Sequence, residues 1–308
     1  MKRQLVLYLD NCVFSELLKP GAIAMRRNFS ALPHRIAFSD VHITEMRNNH
    51  EEYSTLLNEL DAVFVRNPGQ VHERYDPISA LDTAVPEERF ANYFEFSPAY
   101  EAFDEMLAPM HHLMGGRREK SMDQVALETE RAITNSLMNP LGFEPDGNSG
   151  EVSNALKSGT ESLASIDVSE VWQTIDTQVS AAREGDPMRE MDPGEKVHHV
   201  LSKLSETERR GFIEEFPEKF AQLRVLKTGE LTGFAFALFG MGLTKRKGKF
   251  TGPRQTQKFA AQFRDAQHIE EASRCDCFIT FDQDASELAA STFAYAGFPT
   301  QTLLLMNQ

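Results

Sequence analysis

Cysteine is scarce in this chain: three residues, at positions 12, 275 and 277. So small and odd a number builds no disulfide framework, and the expected compartment is a reducing one. Long apolar runs are also missing. Gly233–Leu243 (GFAFALFGMGL) is the longest after the N-terminus, about half of the roughly 20 residues that a membrane helix needs. The opening MKRQLVLYLD has two basic residues, but Asp10 soon ends its apolar run. A secretory signal carries a longer apolar region and a small-residue cleavage site. The expected location is therefore cytoplasmic.

Several catalytic signatures are absent too. GMGLTKRKGK lacks the Gly-Lys-Ser/Thr spacing of a phosphate loop. No Gly-x-Ser-x-Gly elbow occurs. Cys275 and Cys277 have no second pair to complete a zinc site, and His111–His112 and His198–His199 have no zinc spacing. They read as buried thiols and helix-surface histidines.

Basic residues are in deficit, 32 against 46 acidic, for a net charge of −14. An evenly acidic surface repels phosphates. The charge is uneven, however: Thr244–Arg264 holds seven basic residues and no acidic one. Within it Lys245, Arg246, Lys247, Lys249 and Arg254 are candidates to hold a nucleic-acid backbone. Phe250, Phe259 and Phe263 could stack on bases, although the spacing of the last two suits a core.

What is present is enough for a core. The 308 residues are 41 % hydrophobic and 25 % charged, ordinary for one large globular domain or a domain with a big insertion. Residues 4–9 form an apolar run that fits a buried parallel strand and ends at Asp10. Residues 35–38 suggest a second strand, after which Ser39 or Asp40 can cap a helix containing Glu45. Ala62–Val65 suggests a third. Between about residues 70 and 245 the pattern turns helical, with helices expected over Glu101–Met114, Asp123–Leu137, Val168–Ala182, Gly194–Leu204 and Glu206–Leu226. Asn139–Gly159 is rich in Pro, Gly, Asn and Ser and reads as a loop. Strand–helix character returns with a helix over Gln257–Arg274 holding Asp265. Then come an apolar strand Cys277–Phe281 ending at Asp282, a helix over Ala285–Ala296 and a last strand over Thr302–Met306.

Two strand-like runs thus end in an aspartate, Asp10 and Asp282. Ligands of open parallel sheets bind at the carboxyl ends of strands. If the two strands are neighbours, both carboxylates face one crevice, and Glu45 and Asp265 could join them. Two carboxylates 4 Å apart repel by about 4 kcal/mol at an effective dielectric of 20. Such a cluster calls for protons or cations, and hard oxygen ligands select Mg²⁺ or Mn²⁺. Those ions can activate water against a phosphodiester.

The segments YLDNCVFSELL, IAFSDVHITEM and, above all, RDAQHIEEASRCDCFITFDQD resemble the PIN domain family. The resemblance covers roughly residues 4–50 and 257–306. It implies an α/β fold, a parallel sheet with flanking helices, carrying here a mainly helical insertion. Residues 1–69 and 246–308 would form a discontinuous nuclease domain and 70–245 the insertion. It further implies Asp10, Glu45, Asp265 and Asp282 as catalytic and metal-binding acids, with Mg²⁺ or Mn²⁺ as cofactor. Asn11 and Thr280 would sit beside the substrate, and Asp284 would be an auxiliary acid. The implied activity is endoribonuclease cleavage of RNA. Some members are toxins, so an antitoxin or other inhibitory protein and a homodimer join RNA as expected partners. The long gap between Glu45 and Asp265 departs from small PIN toxins.

Two rivals remain. A haloacid-dehalogenase-like phosphatase needs a second Asp where Cys12 stands. A non-catalytic PIN-like scaffold would bind RNA or protein without cleaving it.

Overall fold

A computed structural model describes residues 4–31, 33–66, 81–82, 85–97, 106–116, 118–138, 150–220, 228–244 and 253–306, without the side chains of 137–138, 150–153 and 253–258. By density of packing the chain forms two compact units. One is Met1–Tyr93 with Gln178–Lys245 and Gln262–Gln308; the other is Phe94–Thr177 with Arg246–Ala261.

The first unit is an α/β sheet flanked by helices. Its strands are β1 (Leu5–Leu9), β2 (His34–Phe38), β3 (Val63–Val65), β4 (Leu81–Asp82), β5 (Cys277–Thr280) and β6 (Gln301–Leu304). They lie in the order β4-β3-β2-β1-β5-β6. All neighbours are parallel except β3 and β4. The sheet is therefore mixed, where a purely parallel one was expected. The two-residue β4 is too short to leave a sequence pattern.

Parallel strands need long crossovers, and helices supply them. Helices α1 (Asn11–Leu18) and α2 (Ile23–Ala31) carry the chain from β1 to β2. Helices α3 (Asp40–Met46) and α4 (His50–Glu59) carry it to β3. Ser39, not Asp40, is the residue that opens α3, in a reciprocal cap with His42. Leu9, Val13, Phe14, Leu17, Phe38 and Ile43 come together in one core cluster. Between β5 and β6 runs α14 (Gln283–Ala296), which ends at Gly297 in the left-handed conformation that glycine tolerates (φ 76°).

Three further helices of this unit matter below: α10 (Pro193–Leu201), α12 (Glu230–Gly240) and the second half of α13 (Pro253–Ala272). The Glu270 carboxylate accepts bonds from Gly229 N (2.7 Å) and Thr232 N (2.8 Å) and so caps α12 from a distance. Phe216 and Phe220 pack on Phe234, which also stacks on Tyr295. Helix α11 (Glu206–Glu215) stops short of the expected Leu226. Phe216 precedes Pro217 and leaves the helical region (φ −124°, ψ 76°), as residues before proline tend to.

In the second unit, Met122–Ile133 (α7) and Gly150–Ala164 (α8) are helices. The latter replaces the second half of the expected loop. Leu156, Thr160 and Leu163 recur at helical spacing, and Thr160 is buried and donates to Glu130 on α7 at 3.3 Å. Trp172 Nε1 donates to the His112 carbonyl (2.8 Å), and Arg118 forks onto Asp176 at 2.7 and 2.8 Å. His112 packs edge-on to Trp172, and His111 packs against the buried Phe259. His111 and His112 are therefore not surface residues. Phe259 is core, as its spacing suggested.

Candidate functional site

β1 and β5 are direct neighbours, with Leu9 opposite Ile279. The Asp10 N–H continues the ladder by donating to the Ile279 carbonyl at 2.8 Å. The two strands therefore deliver Asp10 and, just beyond Thr280, Asp282 to the same end of the sheet. This neighbourhood was the condition set by the sequence.

Each acid there has a partner within the protein. Asp10 is buried, and its Oδ2 accepts from Thr280 Oγ1 (2.5 Å) and Cys12 Sγ (3.2 Å). The same Thr280 oxygen accepts from Asp282 N at 2.9 Å, which ties the two strand ends together. Asp282 caps α14, its Oδ1 accepting from Asp284 N (2.7 Å) and Ala285 N (3.1 Å). Such a cap satisfies helix N–H groups and suits the positive end of the helix dipole.

Glu45 enters a buried network. His268 Nε2 lies 2.9 Å from Glu45 Oε2, and His268 Nδ1 lies 2.8 Å from Tyr8 Oη. Tyr8 Oη is 2.8 Å from Ser39 Oγ. Ser39 N donates to His42 Nδ1 (3.1 Å), so the His42 proton sits on Nε2, 2.7 Å from the Leu9 carbonyl. His42 and His268 are almost wholly buried, with ring centroids 4.6 Å apart. Two charges at that spacing would repel strongly, and the network separates their roles. Burial, then the charge of His268, hold His42 well below the usual histidine range. Burial also opposes charge on His268, but the Glu45 hydrogen bond and charge outweigh it and raise its pKa. Burial likewise opposes charge on Glu45, and the bond to His268 overcomes it and lowers the pKa. The outcome is an ion pair of Glu45 and His268 beside a neutral His42.

Asp265 takes a third course. Gln262 Nε2 donates to it at 2.8 Å. Burial first, and then the charge of Asp10, push its carboxyl well above the usual range, with Asp282 and Glu45 adding to the effect. A protonated carboxyl is a poor ligand for a hard cation.

These arrangements correct the metal reading. The four acids are close enough to feel one another, yet among the described residues no group of three or more His, Cys, Asp or Glu side chains could hold a metal ion. The expected Mg²⁺ or Mn²⁺ cofactor site therefore does not form. The metal-dependent hydrolase built on it, an endoribonuclease of RNA, falls with it. The physical reason is prior commitment. Glu45 is paired with His268, Asp10 is bonded to Thr280, Asp282 is a helix cap, and burial and the charge of Asp10 disfavour the ionised form of Asp265.

The remaining expected residues fall as follows. Thr280 is fully buried and faces Asp10 rather than solvent. Asn11 opens α1, with an Oδ1 that is buried and unbonded. Asp284 occupies the first turn of α14. Lys245, Arg246, Lys247 and Lys249 lie outside the described residues, as does the Arg254 side chain. Sequence reasoning missed His42 and His268. Their signals were the Ser39-x-x-His42 capping spacing and the position of His268 one helical turn after Asp265.

No helix among the described residues is long and apolar enough to cross a membrane. Comparison with protein-family models, with curated proteins and with solved structures yields no match.

Proposed function

We propose that this chain is a non-catalytic, PIN-like scaffold that binds a protein partner through the acid-bearing end of its sheet. The observation that carries this reading is the Glu45–His268 pair. A carboxylate that would serve catalysis is instead paired with a buried histidine. Support for the PIN-like part lies in the pairing of β1 with β5, which sets Asp10 and Asp282 at one strand end in the manner the resemblance implies.

Protein is favoured over RNA on electrostatic grounds. The chain carries −14 overall, and Asp282 is exposed at the strand ends. Phosphate is repelled by such a field, whereas a Lys- or Arg-rich segment is drawn to it.

The test is fluorescence anisotropy with a labelled arginine-rich peptide and a labelled single-stranded RNA. The peptide should bind with an affinity that falls as salt rises, and the RNA should not. Mn²⁺ should leave the melting temperature unchanged, since only a ligand of the folded state raises it. RNA binding without peptide binding would overturn the reading, as would Mn²⁺-dependent RNA cleavage lost in Asp10→Asn.

A further inference from the structure

The two edges of the sheet are built differently. β4 forms one edge with two residues, and its Asp82 is held by Arg89 at 2.9 Å. Brevity and charge are usual ways to keep an edge from pairing with other chains. β6 forms the other edge and has one neighbour, β5. Its four residues, Gln301–Leu304, include no charged one.

Strand periodicity fixes which backbone groups of β6 are spent. Gln301 N donates to the Asp276 carbonyl at 3.0 Å, and Leu305 N donates to the Thr280 carbonyl at 2.8 Å. The odd-numbered residues therefore turn their backbone groups toward β5, and Thr302 and Leu304 turn theirs outward. Among the described residues those outward groups meet no backbone partner. The side chains are open as well, Leu303 being 49 % and Met306 79 % exposed.

Charge decides the occupant. Two copies of a chain carrying −14 repel, so they can meet only where charge is low. The stretch Leu288–Gln308, which includes β6, holds no charged side chain. Charged groups do reach the groove beside Leu304, but they balance: Arg183, Arg189 and Lys196 (on α10) stand against Asp186, Asp284 and Glu287. A basic or acidic partner finds no counter-charge on this strand, whereas a second copy needs none.

Two-fold symmetry then fixes the register. The geometry points to a homodimer in which the β6 strands of two copies pair antiparallel about an axis at Leu303 and join the two sheets. Thr302 opposes the partner's Leu304 there. These are the residues whose N–H and C=O groups face outward, so they exchange about four backbone hydrogen bonds. Leu303 opposes the partner's Leu303 at a non-hydrogen-bonded position, with Cα atoms about 4.5 Å apart and the two side chains in contact. The alternation that β5 imposes on β6 is thus the one that a self-complementary pairing needs. The dimer does not rest on the scaffold reading, because it uses none of Asp10, Glu45, Asp265 and Asp282.

A strand pair this short buries less than the roughly 800 Å² per partner of a standard interface, so the dissociation constant should be about 10–100 µM. Sedimentation velocity of the full chain tests it. The mass should rise from 34.7 kDa toward twice that value as concentration passes through this range. Over the same range the Thr302 and Leu304 amides should exchange more slowly with solvent. Leu303→Lys and Leu303→Glu alter a half-exposed side chain and should keep the wild-type circular dichroism. Each alone sets like charges against each other at the axis and should stay monomeric. Mixed in equal amounts they should associate, and salt should weaken the mixed dimer. A wild-type chain that stays monomeric at about 500 µM overturns the proposal. So does a Leu303→Lys chain that still dimerises, or a Lys–Glu mixture that does not. A monomer whose Thr302 and Leu304 amides are already protected, or one that takes up an extended apolar peptide at this edge, assigns the edge to another occupant and overturns it equally.

Discussion

His268 and Glu45 stand 223 positions apart in the chain and meet at 2.9 Å. Their contact fastens α13 to α3 and decides the character of the acidic strand ends. An acid that sequence context offers as a ligand is already half of an ion pair. Tyr8 and Ser39 extend that pair into the core of the sheet.

The pair makes stability depend on pH. Glu45, lowered on folding from its usual 4.5, adds stability above about that pH and loses it as acid protonates the carboxylate. His268, raised from 6.5, adds its full share below that value and loses it as the pH rises through the folded pKa. Glu45→Gln should therefore cost most between 4.5 and 6.5, about 2 kcal/mol for a lost bond to a charged group. The cost should shrink in alkali. Urea unfolding of both proteins at several pH values measures it, and a difference that ignores pH would contradict the pairing. His42 is present in both proteins, so the difference isolates the pair.

Asp265 carries the opposite liability. Its folded pKa lies well above the usual 3.8, so wild-type stability falls as the pH rises toward that folded value. Asp265→Asn keeps the neutral shape and cannot ionise. It should match wild type in acid and exceed it in alkali by about 1–3 kcal/mol, the scale of an unmet buried polar group. Denaturant melts at acid and alkaline pH read the gain directly; an alkaline loss would mean that the ionised carboxylate is the native form.

Glu270 predicts a purely structural loss. Its carboxylate accepts two N–H groups at the start of α12, and it is 2 % exposed. Glu270→Ala should cost about 3–4 kcal/mol, since two bonds to a charged acceptor vanish together. Glu270→Gln keeps an acceptor oxygen and should recover part of that. Hydrogen exchange at Gly229 and Thr232 should accelerate in the alanine variant ahead of the strand amides.

Cys12 should resist alkylation. Burial, followed by the charge of Asp10, pushes its thiol from 9.0 up to about 12. A rise of that size lowers the thiolate fraction near neutral pH about a thousandfold. Iodoacetamide should label it only after unfolding. Rapid labelling of the native chain would show that the Asp10–Cys12–Thr280 contacts do not persist in solution.

Position was legible in the sequence where it followed from local pattern. Apolar runs closing on an aspartate placed Asp10 and Asp282 at strand ends. Ser39 or Asp40 before a helical stretch marked the start of α3, and packing chose Ser39. What the carboxylates touch was not legible, because partners such as His268 and Thr280 arrive through tertiary pairing across more than 200 positions. The helix Gly150–Ala164 was hidden for another reason. Its glycine and serine content reads as loop, and only packing of Leu156 and Thr160 makes the weak period count. β4 was hidden by brevity, for two residues define no alternation.

The central place of β1 has a consequence for synthesis. Val6 and Asp276 exchange bonds through Val6 N to Asp276 Oδ2 (2.8 Å) and Asp276 N to Val6 O (2.9 Å), 270 positions apart. A ribosome adding about 5–20 residues per second takes about 15–50 s to supply that second strand. Throughout that interval the nascent chain has β2 to pair with β1, and the other edge of β1 stays open. An open apolar edge invites pairing with other chains, so the newborn protein depends on whatever shields this strand until β5 is translated.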